Sequence, residues 1–356
     1  MTTTVSAKKL FTGDKWIYNC SLSVQNGKIV SIEACAGEPE HEILVPAFID
    51  LQVYGAGGQL FSVFPTVQSL QLLHDACLNA GTHYFLPTVA SNDLSVFNKC
   101  ITAVREYWKS GGEGCLGIHL EGPWLNPIKR GAHLQEFLHS PTLDEVKKLV
   151  AESGDVIKMI TLAPECCSSE VIQYLRENKI LVSAGHSNAT YLEAMKGFDS
   201  GITLTTHLFN AMSPLQHREP GMVGAVLHHP KVMSSIIPDG YHVDWVALQL
   251  AQKLMGNRLF VITDAVTDTN SGPYQHKLAG DKYEADGVLS GSALTMLKAC
   301  NNLMRFANVE MEEALRLCSA YPAKAIEMEN AIGKLEVGYN ANFVSLKLIG
   351  EELVLA

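Results

Sequence analysis

No run in this chain of 356 residues is apolar over the length that a bilayer crossing requires, and the opening MTTTVSAKKLFTGDKW lacks the apolar core of a secretory signal. Those absences lead us to expect a cytoplasmic protein with no membrane partner. Positive charge is short as well. The 27 lysines and arginines face 37 aspartates and glutamates, a net charge of −10, which argues against nucleic acid or an anionic membrane as partner because both need a positive field. A small anion remains possible only where basic groups gather locally. The nine cysteines are an odd number with no C-x-x-C spacing, so neither a disulfide framework nor a zinc ribbon is indicated, and reduced, mostly buried thiols are expected. A dinucleotide cradle is missing too: VPAFIDLQVYGAGG supplies Gly55 and Gly57, but Leu60 stands where the fingerprint needs its third glycine. Internal repeats, low-complexity tracts and charge runs are also absent.

What the chain does have is apolar content near half, 47%, enough for a substantial core. Short apolar runs rich in β-branched residues recur at 43–50, 81–88, 115–121, 156–164, 180–186, 202–207, 232–239 and 258–264. Most gaps between them carry a helical period, as in TVQSLQLLHDACLNAG, TLDEVKKLVAES, SSEVIQYLREN and HVDWVALQLAQKLMG. Strand and helix alternating eight times is the pattern of an α/β fold, the (β/α)8 TIM barrel. Residues 46–331 are expected to form it. Residues 1–45, with a hairpin signal at Asn26-Gly27, and residues 332–356 read as β-rich flanks; neither can bury a face alone, so we expect them to join in one small β-sandwich.

In a barrel of this kind the chemistry gathers at the C-terminal ends of the strands. Here the runs finish on or near Asp50, Glu121, His186, His207, Asp239 with His242 beyond it, and Asp264. One carboxylate and two imidazoles from three strand ends, Glu121, His186 and His207, make the ligand set of a catalytic metal site with an open position. Alternation in GIHLEGPW puts His119 on the face of Glu121, which suggests a supporting partner of the site rather than a ligand. Asp264 ends an apolar run, and a carboxylate there must be paired or functional; opposite a metal-bound water it would act as general base and then acid. An ion can lower a water pKa from about 15.7 to about 7, which removes roughly 12 kcal/mol from the cost of making hydroxide.

The motifs HLEGPWLN (119–126), RGAH (130–133), SAGHSNAT (183–190), THLFNAMSPL (206–215), PDGYHVD (238–244), ITDA (262–265) and GVLSGSALTM (287–296) resemble, in this order, the N-acetylglucosamine-6-phosphate deacetylase family of the amidohydrolase superfamily. SAYPAKAI and GKLEVGYNANFV complete the likeness at the tail. The resemblance implies metal-dependent hydrolysis of an N-acetylated amino-sugar phosphate, with Glu121, His186 and His207 as metal ligands and Asp264 as catalytic acid/base. It implies that His133 polarises the acetyl carbonyl, that Gln52, Ala132, Asn210, Ala211, Leu289, Ser290 and Gly291 line the substrate pocket, and that His242 and Arg218 hold the phosphate. Arg218 would reach in from the neighbouring subunit of a homodimer. One divalent ion per subunit is implied, zinc first, with iron(II), cobalt or manganese also compatible with the donor set. Many amidohydrolases end their first barrel strand in His-x-His, which holds a second metal. This chain has Gln52-Val-Tyr54 there, like the single-metal branch, but departs from that branch at Tyr54, commonly Asn, and at Ala47, commonly Gly. Another N-acetylated substrate, N-acetylgalactosamine 6-phosphate or an N-acetyl amino acid, and a noncatalytic sugar-phosphate-binding role are the other readings.

Overall fold

The computed structural model describes residues 2–356; Met1, the first residue of the expected β-flank, lies outside them. Eight parallel strands pair in chain order: β1 (Phe48–Val53), β2 (Thr82–Ala90), β3 (Ile118–Glu121), β4 (Ile157–Leu162), β5 (Leu181–Ala184), β6 (Leu204–Thr205), β7 (Met233–Ile236) and β8 (Leu259–Val261). Every residue of β1, β3, β5, β6, β7 and β8 is buried, which is why these strands read as unbroken apolar runs rather than alternating ones. The helices between them are α1 (Val67–Leu78), α2 (Leu94–Lys109), α3 (Leu143–Ser153), α4 (Ser169–Glu177), α5 (Tyr191–Asp199), α6 (Gly221–His228), α7 (Trp245–Met255) and α8 (Met296–Ala307). Thr66, Thr142, Ser168, Thr190, Asp244 and Thr295 begin six of these, each with a side-chain oxygen accepting a first-turn N–H.

The barrel closes between β8 and β1 by a seam rather than a regular ladder. Asp264 N–H donates to Gln52 O at 3.0 Å and Tyr54 N–H to Ala265 O at 2.9 Å. Beneath them the Asp50 carboxylate accepts from Thr263 N–H at 3.2 Å and from its hydroxyl at 2.5 Å. Asp50, which the sequence places among the strand-end groups, is instead the clasp of this seam, because it lies three residues before the end of β1 and points at β8.

The run read as one strand from Ile43 is two. His41–Pro46 belongs to the terminal sheet, and the barrel starts at Phe48. That sheet joins both ends of the chain in the order Glu352–Leu355, Phe343–Ile349, His41–Pro46, Thr2–Phe11, Trp16–Gln25, Lys28–Ala34, with its own core of Ala7, Leu10, Cys20, Leu22, Ile29, Leu44 and Leu335. Asn26 and Gly27, at φ 50 and 72, make the tight turn expected there. A small three-stranded sheet, Lys277–Ala279, Lys282–Ala285 and Val288–Ser292, stands over the barrel mouth between β8 and α8. None of the described helices is long and apolar enough to cross a membrane.

Candidate active site

Glu121 is the last residue of β3, while His186, His207 and Asp264 lie two or three residues past their strands. At those three the backbone turns left-handed, with φ 46, 40 and 54. Such φ values are uncommon outside glycine and persist where the surroundings impose them. The turn frees each side chain from strand alternation and aims it into the mouth. Phe209 and Ala211 follow at φ 78 and 51, so the loop after β6 winds tightly beside the site.

Three atoms converge: His207 Nε2 is 3.0 Å from Glu121 Oε1, His186 Nε2 is 3.3 Å from the same oxygen, and the two imidazole nitrogens are 3.1 Å apart. Tautomers follow from the far side of each ring. His186 Nδ1 faces the Lys129 carbonyl at 2.9 Å and must carry its proton there, leaving a lone pair on Nε2. Lone pairs on His186 and Glu121 at this distance repel unless a cation lies among them, so the donor set fits a divalent ion. The His207 Nδ1 has no hydrogen-bond partner among the described residues.

His133 is also within reach, its Nε2 3.2 Å from Glu121 Oε2, and the ligating atoms of Glu121, His133 and His186 all lie within 4.8 Å of one another. Its tautomer is the reverse of His186. The Ser91 N–H donates to His133 Nδ1 at 3.3 Å, so the lone pair is used there and Nε2 carries the proton. His133 is therefore built to donate, unlike His186, and the other nitrogen beside Glu121 Oε1 is His207 Nε2 at 3.0 Å.

Asp264 lies across the cavity from this cluster, and the two are bridged by Gln52. The Gln52 amide donates to Asp264 Oδ1 at 2.7 Å and lies 3.1 Å from Glu121 Oε1 and 2.9 Å from the Tyr54 hydroxyl. The Tyr54 hydroxyl in turn donates to Glu121 Oε2. Burial opposes ionisation of Glu121, but the imidazoles of His133, His186 and His207 gathered beside it outweigh burial and hold its carboxyl well below the usual range. Asp264 has no such set of donors; burial and then the Glu121 charge push its carboxyl up. Two nearby carboxylates thus have opposite proton affinities, the division expected of a ligand and an acid/base.

A cavity of about 200 Å³ holds these groups. Ala132, His133, Asn210, Ala211, His242, Leu289, Ser290 and Gly291 line it. Gly291 has φ 150, and a Cβ there would stand 3.0 Å from the Asp264 carbonyl oxygen and 2.7 Å from Val266, so only glycine lets this edge close on the acid. His242 gives Nδ1 to Asp239 at 2.6 Å and turns Nε2 toward Asp264, 4.0 Å away.

Two expectations change, for Gln52 and for His119. Gln52 is not on the cavity wall: at 1% exposure it lies behind Tyr54, with its amide beside Asp264 and Glu121. His119 does not touch the ligand cluster; it is one layer down the barrel, its Nε2 2.7 Å from Thr161 Oγ1, and burial lowers its pKa to about 4. Arg218 is exposed on the loop before α6 and does not line the cavity of its own chain. Leu60, at the end of the Gly55–Ala56 and Gln59–Leu60 hairpin, and Ser62 just past it do line the cavity, so the glycine-rich turn stands beside its rim. Two lining residues, Tyr274 and His276, escaped sequence reasoning. They belong to the excursion after β8, which has no barrel periodicity, and only the pairing of an aromatic and a histidine in PYQHK, between ITDA and GVLSG, marks them.

Residues 43–354 match the model of the amidohydrolase family. The chain is 34% identical to an N-acetylglucosamine-6-phosphate deacetylase of Haemophilus influenzae over 84% of this chain and 81% of that protein. It is 31% identical to an N-acetylgalactosamine-6-phosphate deacetylase of Escherichia coli O157:H7 over 97% and 95%. The crystal structure of N-acetylglucosamine-6-phosphate deacetylase from Pasteurella multocida superimposes with a TM-score of 0.90 at 31% identity, covering 99% of this chain and 100% of that one. Amidohydrolases imply a divalent metal, which the donor set at the barrel mouth fits. The chain belongs to the amidohydrolase family, and within it to the group of the N-acetylated hexosamine-6-phosphate deacetylases.

Proposed function

We propose that this protein hydrolyses the acetamide of N-acetylglucosamine 6-phosphate, releasing glucosamine 6-phosphate and acetate. The observation that carries the reading is the opposition, across one buried cavity, of the Glu121, His186 and His207 cluster to Asp264 with its raised proton affinity. One divalent ion per chain, zinc first among the candidates, would be held by those three residues and supplies Lewis acidity toward water and the amide carbonyl. Asp264 takes the proton of the attacking water and returns it to the departing nitrogen, so that the amine leaves neutral. His133 offers its Nε2 proton to the carbonyl oxygen as negative charge builds there. Gln52 keeps Asp264 turned toward the reacting centre. Asn210, Ala211 and the 289–291 edge hold the sugar.

Among the described residues lining the cavity there is no lysine or arginine, yet the substrate is a dianion. That supports a homodimer in which Arg218 of one chain serves the cavity of its neighbour. So does an exposed apolar stripe on α7, Val246, Leu250 and Leu254 at 62%, 55% and 60% exposure, beside α6, which follows the Arg218 loop. The same reading puts the protein in the cytoplasm, its nine free cysteines reduced.

The test is acetate release from N-acetylglucosamine 6-phosphate, its galactose epimer and an N-acetyl amino acid, with elemental analysis of the purified protein. We expect turnover of the glucosamine substrate above the others, one ion per chain, and loss of activity on chelation that added zinc restores. Preference for an unphosphorylated amide, or tight sugar-phosphate binding with no acetate released by the metal-loaded protein, would overturn the assignment.

A further inference from the structure

We propose that His276, coupled to Ser290, reads one ring hydroxyl of the amino sugar and so sets which hexosamine the enzyme accepts; the inference rests on the deacetylase reading above. His276 is 6% exposed and lines the cavity. Its Nδ1 is 2.8 Å from Ser290 Oγ, while its Nε2 has no hydrogen-bond partner among the described residues. Nε2 is not among the buried unpartnered atoms, so it opens on the cavity, where water or a bound ligand can bond it.

Its location decides which part of a ligand it meets. The rings are neighbours in succession: His207 to His186 at 4.9 Å between centroids, His186 to His133 at 4.4 Å, His133 to Tyr274 at 6.4 Å and Tyr274 to His276 at 6.5 Å. His276 thus packs beside Tyr274 and Ser290 rather than against the rings of the cluster where the acetamide is cut. Tyr274 is spent on structure, its hydroxyl donating to the Ser91 carbonyl at 2.6 Å. Burial pushes the His276 pKa down to about 4, so the ring is neutral at working pH and suits an alcohol better than a phosphate dianion. The Ser290 hydroxyl can donate to Nδ1 or accept from it, and each choice sets Nε2 to the opposite role. Such a pair matches a sugar hydroxyl, which both donates and accepts. A site built to bond a hydroxyl discriminates strongly against an analogue that cannot make the bond.

The experiment crosses enzyme variant with substrate variant. kcat/KM is measured for wild type and His276→Phe on N-acetylglucosamine 6-phosphate, its galactose epimer, and analogues each lacking one ring hydroxyl. On the parent substrate His276→Phe should lose about 10-fold or more. On one analogue, the one missing the hydroxyl that His276 reads, wild type and variant should agree within about 2-fold, because the interaction is already gone. His276→Gln, which keeps a donor and an acceptor, should recover part of the loss, and metal content should be one ion per chain in all three proteins. An equal ratio of wild type to variant across every substrate overturns the role of His276 and leaves the deacetylase assignment standing. Absence of acetate release by wild type from every sugar phosphate overturns the assignment itself and this inference with it. Should His276→Phe fail to fold, His276→Gln alone decides, since a specificity role demands a changed order of preference among the analogues and a structural role does not.

Discussion

Gln52 donates to Asp264 at 2.7 Å and stands 3.1 Å from Glu121, so one neutral amide separates two buried carboxylates that would otherwise face each other. Replacing it with leucine removes the donor and keeps the volume. We expect Gln52→Leu to bind its ion yet lose about 10²-fold in kcat, the scale of a misplaced catalytic group, with KM little changed. Steady-state kinetics beside elemental analysis measures this; kcat near that of wild type would mean that Asp264 does not depend on Gln52.

Asp264→Asn keeps the shape and the backbone bond to Gln52 but cannot carry a proton between water and amine. The variant should fold and hold one ion per chain while kcat falls about 10²- to 10⁴-fold. Turnover close to wild type would remove Asp264 from acid/base chemistry.

Tyr54 stands just past the end of the first barrel strand, and its hydroxyl donates to Glu121 Oε2. Tyr54→Phe leaves that oxygen without one of its donors and lets the carboxylate swing. Ion affinity, measured by titrating the apo protein, should drop about 10- to 100-fold, as for other groups that orient a ligand. Unchanged affinity would show that His133 and Gln52 suffice to hold Glu121.

Asp50 has its carboxyl pushed up to about 6, chiefly by burial, against an ordinary value of 3.8. A raised folded-state pKa means that the native state holds the proton more tightly than the unfolded chain. The stability linked to Asp50 is therefore complete below about pH 4 and lost as pH rises through about 6. The difference is on the order of 3 kcal/mol. Asp50→Asn is permanently neutral: its oxygen can accept from Thr263 N–H and its amide can donate to the Thr263 hydroxyl, which then turns toward the Gln52 carbonyl at 3.3 Å. Denaturation at about pH 4 and about pH 8 should show the variant gaining on wild type at the higher pH; a parallel pH dependence would contradict the shift.

Arg218→Ala should raise KM for the phosphorylated sugar far more than for its unphosphorylated analogue, because among the described residues no lysine or arginine lines the cavity of a single chain. Mixing Arg218→Ala with Asp264→Asn protein should restore some activity if the arginine serves its neighbour. Equal effects on both sugars would remove the phosphate role.

Several features were legible in the sequence for local reasons. Apolar β-branched runs had to be strands buried on both faces, and Glu121, His186, His207 and Asp264 stood out because a charge or imidazole ending such a run needs a purpose. The helices starting near Thr66, Thr142, Ser168 and His242 were visible from their period, which repeats within a few residues; their caps, Thr66, Thr142, Ser168 and Asp244, show in the structure. The break at Ala47 was not legible. Ile43–Asp50 looks continuous, and only pairing with Phe343–Leu346 on one side and with β2 on the other divides it.

What the sequence determined, then, is the set of reactive groups and the strand ends that carry them, because period and polarity act over a few residues. Which imidazole gives a lone pair and which a proton was decided only by the Lys129 carbonyl behind His186 and the Ser91 N–H behind His133, contacts made by chain segments 57 and 42 residues away. The same holds for Gln52 between two carboxylates and His276 beside Ser290. A hydrogen bond depends on direction and distance to a partner, and those exist only once the barrel has closed.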